Sequence, residues 1–134
     1  MRYLLDTNVV SELVRNPQGP VADRIRAIGE AQVCTSIIVA AELRYGAAKK
    51  RSTQLTVQLE AILGSLEVLA WEAPADVTYG LLRARLEQAG KPIGGNDLLI
   101  AAHAVTLGYT IVTDNEREFA HIDGLARQNW LRQG

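Results

Sequence analysis

The chain of 134 residues has a single cysteine, Cys34. No intrachain disulfide can form, and a zinc site built on cysteine ligands is excluded. Charge of one sign is not in excess either. Lys and Arg number 14 against 15 Asp and Glu, for a net charge of −1. That balance excludes a uniformly basic nucleic-acid surface and leaves only a local basic stripe. Long hydrophobic runs are missing: the longest, Ile37–Ala41 and Leu98–Ala102, fall far short of the ~20 apolar residues of a membrane helix. Met1-Arg2-Tyr3-Leu4-Leu5 meets Asp6 before an apolar signal-peptide core can develop. Repeats, low-complexity tracts and linkers are absent as well. The expectation is a soluble, cytoplasmic protein with one domain over residues 1–134, since a domain usually takes ~150 residues. Apolar residues make up 48% and charged residues 22%, which are globular proportions. At this length folding buries roughly two-thirds of the surface the unfolded chain exposes, enough for a core without staples.

Short β-like runs alternate with longer helical ones. Strands are expected at Arg2–Leu5, Val33–Thr35, Glu67–Trp71, Tyr109–Thr113 and Leu125–Trp130. Helices are expected at Val9–Arg15, from Pro20 to about Glu30, from Ile37 to about Lys50 with Ser36 as N-cap, at Thr53–Ser65 and at Ala75–Ala89. Asn96 is the expected cap of a helix over Asp97–Leu107, which Gly108 ends, and a short polar helix lies near Glu116–His121. This alternation implies a parallel sheet covered by helices on both faces. Such sheets carry their sites at the carboxyl ends of their strands.

Acids stand at those ends. Asp6 follows the first strand, and Asp114-Asn115 follow the fourth. Asp97 opens a helix after Gly94-Gly95, and Glu42 interrupts an apolar helix between Ile38 and Tyr45, both core-like neighbours at helical spacing. Singly, each has an ordinary reading: Asp6 as a helix cap, Asp97 as a charge favoured by the helix dipole, Asp114-Asn115 as a turn, Glu42 as a partner of Arg44 or Lys49. Together they are carboxylates converging from neighbouring strands, which repel one another unless a cation sits between them. Mg2+ and Mn2+ prefer carboxylate and water oxygens, and an acid cluster in a cleft is what a metal-dependent phosphodiester hydrolase needs.

Four segments then carry a resemblance. They are Leu4-Leu5-Asp6-Thr7-Asn8, Ala40-Ala41-Glu42-Leu43-Arg44-Tyr45-Gly46, the run Ile93–Ala104, and Ile111–Phe119. In this order and spacing the chain resembles the VapC toxins, ribonucleases of the PIN-domain superfamily, over essentially its whole length. The resemblance implies an α/β fold: a three-layer α/β/α sandwich with a five-stranded parallel sheet of order 3-2-1-4-5. It implies endonucleolytic RNA cleavage, of tRNA or rRNA, by metal-activated water with Mg2+ or Mn2+ as cofactor. Asp6, Glu42 and Asp97 match the family's acids; Asp6 and Asp97 are expected to hold a metal, with Glu42 acting through water. Asp114, Asn115 and Glu118 are alternatives for the fourth position, and Thr7 and Asn8 match supporting polar positions. The family pattern leaves 5′-phosphate and 3′-hydroxyl ends. His103 and His121 are then not an acid–base pair, His103 being expected to pack on its helix and His121 to lie on the surface.

Arg44, Lys49, Lys50 and Arg51, on or just past the helix carrying Glu42, are candidates for RNA phosphate contact, as are Arg15, Arg83, Arg85 and Lys91; a solvated face is the alternative. Tyr45 is open between base stacking and core packing. The resemblance also implies a VapB-like antitoxin partner, a homodimer, and DNA contact only through the antitoxin. The helix Thr53–Ser65 is expected to form part of the antitoxin groove or a core and dimer face. A haloacid-dehalogenase-like phosphatase would need an acid where Asn8 stands, and a response-regulator receiver would need an acidic pair and a lysine at strand ends that this chain lacks. Within the superfamily the alternative is a binding or regulatory module of the FitB type, weakly nucleolytic and complexed to a DNA-binding partner.

Overall fold

Leu4 and Leu5 are adjacent in the chain and both fully buried. Successive strand residues point to opposite faces, so both faces of this strand are covered. The structure, a computed structural model, describes residues 1–132. Strand β1 (Tyr3–Leu5) is central in a five-stranded sheet with β2 (Val33–Ser36), β3 (Glu67–Leu69), β4 (Thr110–Val112) and β5 (Arg127–Gln128). The order is 3-2-1-4-5 and every pairing is parallel, as the resemblance implies. Leu5 stands beside Thr35 on one side and Val112 on the other. That register brings the residues after β1 and β4 out together at one edge.

The helices are α1 (Thr7–Arg15), α2 (Pro20–Ile28), α3 (Ile37–Lys50), α4 (Thr53–Ser65), α5 (Ala75–Gln88), α6 (Gly95–Leu107) and α7 (Glu116–Phe119). Ser36 and Ser52 cap α3 and α4, accepting from the N–H groups of Ile38 and Leu55. Helix α6 ends at Gly108, whose φ of +72° suits glycine and whose N–H reaches the carbonyls of Ala104 and Val105. Among the described residues no helix is long and apolar enough to cross a membrane.

Several boundaries differ from expectation for identifiable reasons. Helix α1 starts at Thr7 rather than Val9, because Asp6 caps it. Asn96 does not cap α6; the helix begins at Gly95 and its cap is Gly94, which has no side chain to offer. Helix α2 stops at Ile28, and Gly29 with φ +107° leads into a single 3-10 turn over Glu30–Gln32. Strand β3 ends at Leu69 because the chain then swings toward α6, where the Trp71 indole N–H donates to the Leu99 carbonyl at 2.9 Å. Strand β5 keeps only two residues, between the buried anchors Leu125 and Trp130.

His103, buried on α6, ties this layer to α3. The Ser36 hydroxyl, which accepts from the Ile38 N–H, also shares a hydrogen bond with His103 Nδ1 at 2.9 Å. Burial pushes the imidazole pKa down and favours the neutral ring. The packed position expected for His103 is what the structure shows, and His121 is exposed.

Candidate active site

Asp6 is the first residue past the central strand, and its backbone N–H still completes the sheet by donating to the Val112 carbonyl. Its carboxylate does two things. Oδ1 accepts from the Thr7 N–H at 2.8 Å, capping α1, and Oδ2 accepts from the Thr113 hydroxyl at 2.8 Å. The capping and site readings of Asp6 are therefore compatible. Asp6 is only 2% exposed, and burial pushes its pKa up against the two hydrogen bonds that pull it down. Thr113 is a site residue the sequence reading did not single out. Its hydroxyl donates to Asp6 and accepts from the Asn115 N–H at 2.9 Å, so one atom joins the ends of β1 and β4.

Thr7 and Asn8 support their neighbours. The Thr7 hydroxyl donates to Glu42 Oε1 at 2.6 Å, which orients the acid carried by α3. Asn8 Oδ1 accepts from the Asp114 N–H at 3.0 Å, which fixes the turn after β4. Asn115 is the third junction. Its amide donates to Glu118 Oε2 at 2.8 Å and to Asp97 Oδ2 at 3.3 Å. The Gly94 N–H also donates to Glu118, at 3.2 Å. That bond ties the start of the helix bearing Asp97 to the Glu118 carboxylate.

Asp114 is not drawn into this cluster. Its Oδ1 accepts from Asn129 at 2.9 Å and from Arg132 at 2.8 Å, and these donors hold its pKa below the usual carboxylate range. The two other candidates for the fourth position, Asn115 and Glu118, face Asp97.

The electrostatics of the cluster are those of surplus negative charge. Burial first, then the charges of Asp6 and Glu118, push the Asp97 pKa up to about 7. Glu118 is pulled the other way, chiefly by Asn115 and the Gly94 N–H. Asp97 also sits in the first turn of α6, where the helix dipole favours its anion; burial and like charge outweigh that term.

The donors are all oxygen, in a partly buried pocket where burial and like charge raise the pKa of Asp6 and Asp97, and this set fits a hard divalent cation. Among the described residues no three acidic, histidine or cysteine side chains already share one ligating point. Each carboxylate is instead held by a hydroxyl, an amide or a backbone N–H. A cation binding here must displace the proton on Asp97. Apparent Mg2+ affinity should therefore rise with pH through about 7. Calorimetry at pH 7 in buffers of different ionisation enthalpy should show proton release that disappears in Asp97→Asn.

The basic candidates are disposed unevenly. Arg44 is committed to Glu60 of α4 through two bonds of 2.9 Å, and Arg83 to Glu87 at 3.0 Å. Lys49 lies over the ring of Tyr45, and Lys50 and Arg15 line a groove that also includes Glu42. Tyr45 is 66% exposed, so the core-like placement expected for it does not hold, and the ring is presented on the same helix as Glu42.

A parallel sheet of order 3-2-1-4-5 with acids gathered beyond β1 and β4 defines the PIN-domain class of nuclease fold. The PIN domain model matches residues 3–125. Ribonuclease VapC2 of Rickettsia felis is 38% identical over 97% of this chain and 98% of its own length. The tRNA(fMet)-specific endonuclease VapC of Shigella flexneri is 33% identical over 97% and 98%. Among solved structures, VapBC2 from Rickettsia felis bound to a DNA fragment from its promoter aligns with TM-score 0.90 at 37% identity, covering 97% of this chain and 99% of that one. The chain belongs to the VapC ribonucleases of the PIN-domain family.

Proposed function

We propose that this chain is the toxin of a type II toxin–antitoxin pair, a Mg2+- or Mn2+-dependent endoribonuclease that acts from the cytoplasm as a single PIN domain. The observation that carries this reading is the convergence of Asp6, Asp97, Glu42 and Glu118 around the ends of β1 and β4, with Asp97 pushed up to about 7 by its neighbours. Asp6, Asp97 and Glu118 would hold the cation directly, and Glu42 through water. When bound, the ion supplies activation of water and neutralisation of charge developing on the phosphate.

The chain's own residues do the positioning. Thr113 and the Thr7 N–H pin both oxygens of Asp6, so this acid enters the reaction already oriented. The Thr7 hydroxyl aims Glu42, whose role is to accept a proton from the attacking water. Asn115 fixes the facing carboxylates of Asp97 and Glu118. In-line attack by water on phosphorus forms one P–O bond as the P–O3′ bond breaks, and the 3′-oxygen leaves and takes up a proton from solvent, giving 5′-phosphate and 3′-hydroxyl ends without a histidine.

Names of relatives guide the rest. The Shigella flexneri relative is a tRNA(fMet)-specific endonuclease, so tRNA is the substrate class to offer first, with rRNA second. The Rickettsia felis structure is of a VapBC2 complex on promoter DNA, which supports a VapB-like antitoxin partner for this chain and DNA contact through that partner; a homodimer rests on the family resemblance alone. The test is expression of wild type and Asp6→Ala in a bacterium, with sequencing of 5′-phosphorylated RNA ends. The wild type should arrest growth and create new ends at a few sites, and Asp6→Ala should do neither. Identical behaviour of the two folded proteins would contradict the proposal.

A further inference from the structure

We infer that the cleft between the C-terminal end of α5 and α7 seats the RNA backbone flanking the scissile phosphate, held by Arg85, Lys91 and His121. This rests on the ribonuclease reading and adds the path the substrate takes to the acids.

The cleft is walled by Arg85, Lys91 and His121, with Asp123 the acid among its lining side chains. Its floor includes the buried side chains of Leu82, Leu86 and Ile122. Six other arginines, Arg2, Arg15, Arg26, Arg44, Arg83 and Arg132, are paired with carboxylates. Arg85 and Lys91 form no ion pair among the described residues. In a chain of net charge −1, two uncommitted cations and an imidazole around one concavity form a local positive site. Arg85 alone is explained by its place in the last turn of α5. Lys91 and His121 are not: they come from the loop after α5 and the turn after α7, and converge on the same cleft.

The cleft adjoins the acids. The His121 N–H donates to the Glu118 carbonyl at 3.3 Å, and the Glu118 carboxylate is bonded to Gly94 and, through Asn115, to Asp97. A polyanion approaching four carboxylates is repelled unless cations on the approach offset the repulsion; Arg85 and Lys91 stand on the Glu118 side of the acids, as Lys50 does in the groove beside Glu42. A protein segment would need exposed apolar anchors to bind well, but the apolar side chains here are the buried floor. Phosphate is the better-matched ligand.

The experiment is steady-state cleavage of a tRNA substrate by wild type, Arg85→Ala, Lys91→Ala, the double variant and Lys91→Arg, with salt varied. Each cation removed should raise KM about five- to tenfold near 0.1 M salt and reduce the slope of log KM against log salt by roughly one, with kcat little changed. Lys91→Arg should restore both. The Arg26→Ala variant, on the distant α2, should match wild type. A double variant that keeps wild-type KM and salt slope, while still cleaving with metal, would overturn the inference and leave the ribonuclease reading intact. The same kinetics with weakened binding of the antitoxin would also overturn it and make the cleft a partner seat. No metal-dependent cleavage by wild type would overturn both.

Discussion

Replacing Asp97 with Asn should reduce RNA cleavage by about 1000-fold or more, and at the same time raise the thermal midpoint of the metal-free protein. The activity loss follows from removing a charged cation ligand and the phosphate neutralisation that depends on it. The stability gain follows from the same charge. Burial and the neighbouring Asp6 and Glu118 oppose ionisation of Asp97, so its native-state pKa is raised from 3.8 to about 7. A carboxyl raised in this way favours the native state least when it must ionise. The cost begins above its unfolded pKa, grows as pH rises, and is complete above about 7. Asn carries no such cost and still accepts from the Asn115 amide. The gain should be on the order of 1 kcal/mol, a few degrees, at pH 8, and should shrink toward pH 4. Saturating Mg2+ should raise the wild-type midpoint and leave the variant where it is. Scanning calorimetry at the two pH values, with and without Mg2+, measures all of this. A variant less stable than wild type at pH 8 without metal would show that Asp97 is held for structure and not under electrostatic load.

The second large effect is on the core. Phe119 is fully buried at the end of α7, a helix of only four residues that begins directly after Asn115. So short a helix has little stability of its own and stays where its buried side chain anchors it. Phe119→Ala should cost roughly 3–5 kcal/mol, a large part of the ~5–15 kcal/mol a domain of this kind has. It should also lower cleavage by the protein that remains folded, because Asn115 and Glu118 lose their common support. Phe119→Leu should cost about 1.5 kcal/mol or less and retain most activity. Urea unfolding, with cleavage measured at a urea-free temperature where each variant is folded, separates the two effects. Full activity in the folded Phe119→Ala protein would mean that the Asn115–Glu118 corner takes no part.

Much of this site follows from local pattern. Asp6 is readable because the apolar strand before it is short and the acid ends it. Glu42 is readable because it breaks an apolar helix, and Asp97 because a Gly-Gly turn precedes it. The sheet order came through the family resemblance, not through periodicity. What stayed hidden depends on contacts between segments distant in sequence. Thr113 reads as the tail of a strand, and only the pairing of β1 with β4 places its hydroxyl against Asp6. Asp114 looks as good a ligand as its neighbours until Asn129 and Arg132, beyond the motif, engage it. Arg44 is claimed by Glu60 from the next helix. Tyr45 misled because helical spacing from Glu42 says which residues share a face, not whether a partner covers it. Asn96 misled because the helix starts one residue earlier, at Gly95, after a Gly94 whose N–H is bonded to Glu118 from the distant α7.

The most direct measurement is cleavage of purified tRNA by the purified chain, in Mg2+ or Mn2+ and in chelator, with Asp6→Ala alongside and the product ends mapped. The account predicts discrete cuts with 5′-phosphate and 3′-hydroxyl ends, lost on chelation, restored by adding metal back, and absent in Asp6→Ala. Cleavage that persists in chelator, or ends bearing a 2′,3′-cyclic phosphate, would contradict it.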